Sequence, residues 1–300
     1  MVTLAIISIS KLSIDMAKEF VKIGEIAMYV GAYMDMIEVV GDLSEKQILD
    51  VRKEESFSIV FQNVNFAYPG TDKLVLENIS FEFQSGKKYG LVGANGSGKT
   101  TFVNLLMGLY TPVSGKILFN GNDVTDFTKE SWSKLFSAVL QDFNTYAYTV
   151  SDNVSMLMHE KQKVKDSLAK ARIDWLNEND YVTSEYEQGK ELSGGEAQKL
   201  AIARAIFKDS RIFVFDEPTA ALSPQSEHEL YENICKEMQN KMLFFISHRL
   251  ASCQMCDEIL VFNNGKIIEK GNHDELMKRQ GMYETMFRAQ ACLYDTKVKR

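Results

Sequence analysis

Three short stretches of this chain carry residue types at spacings that could bind and hydrolyse a nucleoside triphosphate. Residues 93–100 read Gly-Ala-Asn-Gly-Ser-Gly-Lys-Thr and fit the phosphate-loop pattern. Its glycines let the backbone wrap around phosphates with the N–H groups pointing inward. The pattern assigns Lys99 to the β- and γ-phosphates and the Thr100 hydroxyl to Mg²⁺. The predicted nucleotide-binding residues of this stretch are Gly93, Ala94, Asn95, Gly96, Ser97, Gly98, Lys99, Thr100 and Thr101.

The second stretch, residues 212–219, places two acids after four apolar residues. Asp216 ends the apolar run, where a carboxylate can hold Mg²⁺ directly or through water. Glu217 follows it and is the candidate general base for the attacking water, a role typically worth about 10²–10⁴-fold in rate. The alternative is a solvated acidic turn, which the apolar run before the pair disfavours.

The third stretch, residues 192–198, reads Leu-Ser-Gly-Gly-Glu-Ala-Gln and is called the signature turn below. Taken alone, Ser193 is a good helix N-cap. The Ser193 hydroxyl, the N–H groups of Gly194 and Gly195 and the dipole of the following helix would also form a second anion site.

The elements that must position these residues follow from apolar periodicity. A strand over 89–92 leads into the phosphate loop and a helix over 101–109 leaves it, which is the context that such a loop requires. Strands over 59–66 and 79–83 alternate like an antiparallel pair. Further strands are predicted over 138–142, 212–216 and 243–248, and helices over 150–158, 161–172 and 193–207.

Composition excludes several other classes of protein. With 300 residues, 45% hydrophobic and 25% charged, the chain is typical of one sizeable globular domain plus a segment, or of two small domains. A net charge of -7 argues against a nucleic-acid partner. No signal peptide is recognised, and no run reaches the roughly 18 apolar residues of a membrane span.

Cys253 and Cys256 have the spacing of a zinc or redox pair. A structural zinc site needs a second pair nearby, and the other two cysteines, Cys235 and Cys292, have no close partner in the sequence. Reduced thiols without a function, in a cytoplasmic setting, are the favoured interpretation.

An apolar stripe recurs every three or four positions from Ile9 to Ile37 and predicts a long amphipathic helix. Such a helix needs partners, so it is either a dimerising coiled coil or the end of a bundle whose other helices are missing. The predicted organisation is a helix over 1–41, a linker over 42–56, a nucleotide-binding domain over 57–294 and a tail over 295–300.

The phosphate loop, the signature turn and the acidic pair, in this order, resemble the nucleotide-binding domain of ABC ATPases. The resemblance implies an α/β P-loop NTPase fold of ABC type. It has a RecA-like core, an antiparallel β subdomain and a helical subdomain inserted over about 143–197, here preceded by the long helix. It also implies ATP and Mg²⁺ as cofactors.

The resemblance assigns roles to residues that no pattern singles out alone. Tyr68, in a Tyr-Pro-Gly turn, matches the aromatic residue that stacks on adenine, although a solvent-shielding turn residue is the alternative. Gln141 matches the glutamine that touches Mg²⁺ and the attacking water. His248 matches the switch histidine that contacts the γ-phosphate. The implied catalytic residues are Lys99, Gln141, Glu217 and His248, and the implied metal ligands are Thr100, Gln141 and Asp216.

In this family the signature turn closes on the γ-phosphate of ATP bound to a second cassette. The resemblance therefore implies a head-to-tail pair of cassettes, identical or from two subunits. Two positions depart from the family pattern. Ser223 stands where an aspartate shapes the dimer interface, so coupling between the two sites would be weakened, and Glu196 stands where glutamine is commoner.

The residues before the signature turn and the stretches 247–250 and 262–276 look most like bacterial exporters of lantibiotic and bacteriocin peptides. The resemblance implies an ATPase that works with a transmembrane domain at the cytoplasmic face of the cell membrane and powers peptide export. Two alternatives stay open. One is a soluble ABC-type switch or regulator, and the other is a truncated remnant that no longer transports.

Overall fold

The computed structural model describes residues 56–158, 160–183, 189–216, 224–247 and 250–298. The predicted helix over 1–41 and nearly all of the predicted linker over 42–56 lie outside these ranges. Glu217, Ser223 and His248 lie outside them as well. Within the described ranges, no helix combines the length and the apolar character that crossing a bilayer requires.

An antiparallel sheet forms the first part of the described chain. Its strands lie in the order β2-β1-β4-β5. They are β1 (Ser58–Phe66), β2 (Leu76–Gln84), β4 (Ser114–Phe119) and β5 (Asn122–Asp123). The predicted antiparallel pairing of the first two strands is confirmed, for example by Phe61 opposite Phe81. Alternate residues such as Ile59 and Phe61 are buried, so one face of this sheet is apolar.

A second, mixed sheet forms the centre of the molecule. Its strands lie in the order β10-β9-β3-β8-β7-β6, and all are parallel except β10. They are β3 (Lys88–Gly93), β6 (Phe136–Val139), β7 (Ile212–Asp216), β8 (Met242–Ile246), β9 (Glu258–Asn263) and β10 (Lys266–Gly271). The carboxyl ends of five parallel strands therefore meet at one edge.

Helices connect and cover these strands. They are α1 (Lys99–Leu106), α2 (Lys129–Ser133), α3 (Val150–Ser155), α4 (Lys161–Lys170), α5 (Gly194–Lys208), α6 (Pro224–Glu237), α7 (His273–Arg279) and α8 (Met282–Val298). Short 3-10 helices cover Val124–Asp126 and Leu250–Met255. The helices α3, α4 and α5 pack on one another and are called the helical subdomain below. Of these, α3 and α4 lie within the predicted range 143–197, whereas α5 begins at Gly194 and continues past it.

Two apolar clusters lie on opposite faces of the central sheet, because side chains alternate along each strand. Phe213 and Phe215 of β7 belong to the cluster that includes the helical subdomain, called the helical-side cluster. Ile212 and Val214 belong to the other cluster, which includes α1 and the antiparallel sheet and is called the loop-side cluster. The two cores therefore share one sheet.

The two tryptophans of the chain lie in different parts of this architecture. Trp132 is 4% exposed in the loop-side cluster and its Nε1 donates to the carbonyl oxygen of Leu106 at 3.2 Å. Trp175 is 36% exposed and lies between Ile173 and Leu176, which belong to the helical-side cluster.

Several predicted elements have different limits in the structure, among them the helix predicted over 101–109, which ends at Leu106. The strand predicted over 138–142 is β6, which begins at Phe136 and ends at Val139, so Gln141 lies beyond it. The helix predicted over 150–158 ends at Ser155, because Met156 adopts a left-handed conformation with φ 49°.

Cys253 and Cys256 are buried free thiols in the helical-side cluster. A hydrogen bond with Cys253, together with burial, raises the pKa of Cys256 well above its usual range. Burial likewise raises the pKa of Cys235 to about 11. Thiols held in the protonated form are poor nucleophiles and poor metal ligands. Among the described residues, no group of three or more His, Cys, Asp or Glu side chains is arranged to hold a metal ion.

Candidate functional site

The phosphate loop lies at the carboxyl edge of the parallel strands. The strand β3 ends at Gly93, the loop covers 94–98 and α1 begins at Lys99. The prediction of a strand before the loop and a helix after it is confirmed. The N-terminus of α1 therefore points its unpaired N–H groups and its positive dipole end toward the loop.

The start of the loop is a backbone position that a side chain would block. Gly93 has φ +150°, and a Cβ there would lie 2.3 Å from the carbonyl oxygen of Phe262 and 2.8 Å from Oγ of Ser97. Gly96, at the tip of the loop, also has a positive φ of +74°, but a Cβ there meets nothing within 4 Å. The loop is thus tight where it leaves the sheet and open at its tip.

Lys99 and Ser97 place donors inside the loop. The Lys99 side chain is 6% exposed and its Nζ donates to the carbonyl oxygens of Gly93 at 2.9 Å and Ala94 at 3.0 Å. The Oγ of Ser97 is buried and has no hydrogen-bond partner. A buried hydroxyl without a partner is costly, and a bound anion would satisfy it.

Backbone pairing fixes where Asp216 stands relative to this loop. Asp216 of β7 pairs with Ile246 of β8, and Ile246 pairs with Leu91 of β3, two residues before Gly93. At the usual strand spacing, β7 and β3 are about 10 Å apart at this level. Asp216 is 6% exposed. Its carboxylate and the phosphate loop share the edge at which open α/β sheets bind their ligands.

Gln141 lies at the same edge, one strand further out. Val139 ends β6 opposite Phe215 of β7, so Gln141 is two residues past the last paired position. It is exposed to solvent. Of the four predicted catalytic residues, Lys99 and Gln141 are therefore described at one edge of the sheet, whereas Glu217 and His248 are outside the described residues.

The residues of this edge fit ATP with Mg²⁺. The ammonium of Lys99, the partnerless hydroxyl of Ser97 and the N-terminus of α1 are the donors that a triphosphate requires. The oxygen atoms of Thr100, Gln141 and Asp216 are the ligand type that Mg²⁺ prefers. Lys99 and Ser97 could therefore hold the phosphates, and the second group of residues could hold the ion.

Tyr68 contacts the phosphate-loop helix. Its hydroxyl is 3.0 Å from Oγ1 of Thr101, in the first turn of α1. Its ring meets the rings of Phe66 and Tyr110 edge to face, with centroids 5.1 Å and 5.3 Å away. The sequence reading did not include Tyr110, which follows the end of α1. In the sequence, the only local signal was an aromatic residue shortly after Gly108.

The signature turn caps α5. Ser193 is the N-cap residue, and its N–H and Oγ donate to Oε2 of Glu196 at 2.8 Å and 2.7 Å. These hydrogen bonds lower the pKa of Glu196 below its usual value, and the bond from the Ser193 hydroxyl has the largest effect. Ser193 and Gly194 are exposed, so the turn presents its polar groups outward.

A polar pair that the sequence reading missed joins the segment after Gln141 to α5. Asn153 is fully buried, and its Oδ1 accepts from the N–H of Tyr146 at 2.9 Å. The Nε of Arg204 donates to the carbonyl oxygen of Asn153 at 2.8 Å, and its Nη1 to that of Asn144 at 3.1 Å. Burial lowers the pKa of Arg204. We call these two residues the Asn153–Arg204 pair.

An apolar groove with cationic walls opens beside this pair. Its volume is about 470 Å³. Its lining includes the apolar residues Leu140, Phe143, Val154, Met156, Met158 and Phe207, the cations Lys163, Arg204 and Lys208, and one acid, Asp142. Met156 and Met158 are 51% and 66% exposed, so apolar surface reaches the rim. Burial lowers the pKa of Lys208, whose Nζ donates to the carbonyl oxygen of Ser133.

Comparisons with known proteins indicate the family of the chain. A family model described as ABC transporter matches residues 76–220. The subtilin transport ATP-binding protein SpaT of Bacillus subtilis is 34% identical over 267 residues, which are 85% of this chain and 44% of that protein. The β-(1→2)glucan export ATP-binding/permease protein NdvA of Rhizobium johnstonii is 36% identical over 83% of this chain and 43% of its own length.

Two further matches have the same extent. The ATP-dependent lipid A-core flippase of Methylobacillus flagellatus is 37% identical over 78% of this chain and 41% of its own length. Among solved structures, a bacterial Atm1-family ABC exporter with ATP bound superposes with a TM-score of 0.75 at 32% identity, over 83% of this chain and 44% of that one. The chain thus spans less than half the length of the relatives that it matches.

Proposed function

Because the chain contains the ATP-binding cassette of the ABC transporter family, we propose that it hydrolyses ATP to power export across the cytoplasmic membrane. This cassette is the ATPase domain of the exporters of that family. The observation that carries the proposal is the common edge of the central sheet. The phosphate loop, Asp216 and Gln141 all leave the parallel strands at that edge. We take the cassette to cover residues 57–294.

In this proposal each residue at the edge has one task. Lys99 and the loop N–H groups bind and orient the phosphates, and charge stabilisation by these groups is the main part of phosphoryl-transfer catalysis. Thr100, Gln141 and Asp216 hold Mg²⁺, which neutralises phosphate charge when bound. Glu217 accepts a proton from the attacking water, His248 contacts the γ-phosphate, and Tyr68 stacks on the adenine ring.

We further propose that two cassettes pair head to tail. The support is the outward position of the signature turn, since Ser193 and Gly194 are exposed on a capped helix terminus. A helix N-terminus with exposed donors suits the phosphate of a nucleotide held by a second cassette. Whether that second cassette is another copy or a different subunit is decided by the experiment below.

The proposed transmembrane partner would dock in the apolar groove. The exposed Met156 and Met158 and the cations Lys163, Arg204 and Lys208 suit an amphipathic helix that carries acidic residues. Because the groove borders the segment after Gln141, such a helix would act on the hydrolytic edge. This docking would hold the cassette at the cytoplasmic face of the membrane.

We propose a peptide as the cargo. The support is the similarity to a subtilin transport protein over most of the chain. The other relatives are named for glucan and lipid A, so cargo has to be measured. In cells that carry the Glu217→Gln variant in place of the wild-type chain, a peptide should disappear from the culture medium, as detected by mass spectrometry. Loss of an exported glycan or lipid instead would refute the peptide assignment.

The ATPase proposal is tested by measuring hydrolysis per chain against protein concentration, with Mg²⁺ present. We expect the rate per chain to rise with concentration, because two chains complete each site. Glu217→Gln should abolish hydrolysis and retain ATP binding. Glu130→Gln is the matched control, since Glu130 is an exposed acid paired with Lys134 and should leave the rate unchanged.

Each result decides between the proposals. Hydrolysis in Glu217→Gln at the wild-type rate would refute the catalytic assignment. A rate per chain that does not change with concentration would refute pairing of identical chains and leave a different subunit as the partner. ATP binding without hydrolysis at any concentration, with or without the transmembrane partner, would favour an ATP-dependent switch over a transporter.

A further inference from the structure

Three aromatic rings meet beside the phosphate-loop helix. The ring centroids of Phe66, Tyr68 and Tyr110 are 5.1–5.5 Å apart, and both neighbours of Tyr68 lie nearly perpendicular to it, at 79° and 89°. Phe66 is 2% exposed and belongs to the loop-side cluster, whereas Tyr110 is 37% exposed. The ring of Tyr68 therefore contacts one ring in the core, that of Phe66, and one ring at the surface, that of Tyr110.

The position of the Tyr68 ring is fixed from both ends of α1. At the start of the helix, Oγ1 of Thr101, a residue 7% exposed, lies 3.0 Å from the Tyr68 hydroxyl. Past the end of the helix, the ring of Tyr110 packs perpendicular to the ring of Tyr68. A long aromatic side chain on a surface turn would otherwise sample several rotamers.

Tyr110 itself stands on a rigid turn. Gly108, two residues past the end of α1, has φ +74°, and a Cβ there would lie 2.7 Å from Cδ1 of Trp132. The indole of Trp132 in turn donates to the carbonyl oxygen of Leu106. The buried tryptophan thus packs against the turn that carries Tyr110.

We propose that Tyr110 is a positioning residue that holds Tyr68 in the orientation needed to stack on a purine base. This inference rests on the proposed role of Tyr68 in ATP binding. A flat ring that is already oriented loses less conformational freedom when a base binds, so binding is tighter. Tyr110 then contributes to recognition of the base and not to that of the phosphates, which the loop over 93–99 binds.

The test compares a ligand that has a base with one that lacks it. Titration calorimetry with ATP and with inorganic tripolyphosphate gives two dissociation constants for each variant. Tyr110→Ala should weaken ATP binding about three- to tenfold, the range expected for loss of one aromatic pair, and leave tripolyphosphate binding unchanged. Tyr110→Phe should bind ATP as the wild type does, because the ring contact does not need the hydroxyl.

Two further variants keep the outcomes distinct. Leu109→Ala changes the neighbouring residue, which is 63% exposed, and should leave both dissociation constants unchanged. In a Tyr68→Ala background, Tyr110→Ala should have no additional effect, since Tyr110 acts through Tyr68. The melting temperature of each variant shows whether the fold is retained.

The possible failures separate the two hypotheses. Equal weakening of ATP and tripolyphosphate by Tyr110→Ala would mean general damage to α1 and would overturn the inference. A loss of ATP affinity in Tyr68→Ala with none in Tyr110→Ala would overturn the inference and keep the proposed role of Tyr68. Unchanged ATP affinity in Tyr68→Ala would overturn both.

Discussion

At the scale of single residues, the phosphate loop depends on the absence of a side chain at its first position. Gly93 has the carbonyl oxygen of Phe262 on one side and the hydroxyl of Ser97 on the other. Both neighbours are held, the first by backbone pairing of β9 with β3 and the second by burial. At position 93, both the positive φ and the lack of space around Cα therefore exclude any residue with a side chain.

This leads to a prediction for a pair of glycine variants. Gly93→Ala should lower the free energy of unfolding by about 3 kcal/mol, through a strained φ and a steric clash, and should abolish ATP binding. Gly96→Ala should cost only about 1 kcal/mol, because its Cβ meets open space and only φ is unfavourable. Urea denaturation gives both values. Equal losses would show that the clash at position 93 relaxes.

Glu196 gives a prediction about pH. Its pKa is lowered in the folded chain by the Ser193 hydroxyl and then by the Ser193 N–H. The stabilisation from this cap is therefore complete above the unfolded pKa of about 4.3 and is lost as pH falls through the lower folded pKa. An NMR titration of the Glu196 carboxylate measures that value.

The control for this titration is Ser193→Ala. This variant should raise the pKa of Glu196 toward its ordinary value, because the largest cause of the shift is removed. It should also cost about 1 kcal/mol in stability, the usual price for an N-cap residue. A pKa that does not change in Ser193→Ala would mean that the hydroxyl is not the cause.

At the scale of elements, the Asn153–Arg204 pair links the segment after β6 to α5. Besides accepting from the N–H of Tyr146, Asn153 donates through Nδ2 to the carbonyl oxygens of Tyr146, Tyr148 and Thr149. One buried amide thus adds side-chain hydrogen bonds to carbonyl oxygens that also accept from backbone N–H groups. The segment keeps a defined shape without being a helix or a strand.

We predict that Asn153→Ala lowers the free energy of unfolding by about 2–3 kcal/mol, because the hydrogen bonds that a fully buried amide makes to this segment and to Arg204 are lost. Amide hydrogen exchange over 143–149 should become faster at the same time. Asn153→Asp is a second comparison, since it removes the same donors and keeps an acceptor for Arg204, while adding a negative charge beside that guanidinium. Unchanged exchange in both variants would contradict the assigned role.

The sequence predicted these elements unevenly, for physical reasons. The strand, loop and helix around Lys99 are local, so their order and type were predicted correctly, although the helix ends at Leu106 and not at 109. The end of α3 was not, because the left-handed conformation of Met156 leaves no mark in an apolar run. The contact between Tyr68 and Tyr110 joins residues far apart in the chain, and no periodicity reports such a contact.

At the scale of the whole molecule, one parallel sheet serves two cores. The alternating side chains of β7 and β8 belong to the helical-side cluster on one face and to the loop-side cluster on the other. Neither cluster is complete without these strands, which are buried on both faces. We therefore expect the described part of the chain to unfold largely as one unit, although the helical subdomain also packs on itself.

The placement of the two tryptophans gives the molecule two built-in optical reporters. The emission of Trp132 should be that of an indole in an apolar surrounding, and it should shift to longer wavelength only when the loop-side cluster opens. Trp175 is partly in contact with solvent and reports on the helical side. With Trp175→Phe and Trp132→Phe, each protein emits from one place, so coincident denaturation curves would mean one cooperative unit. Separate curves would mean that the helices detach first.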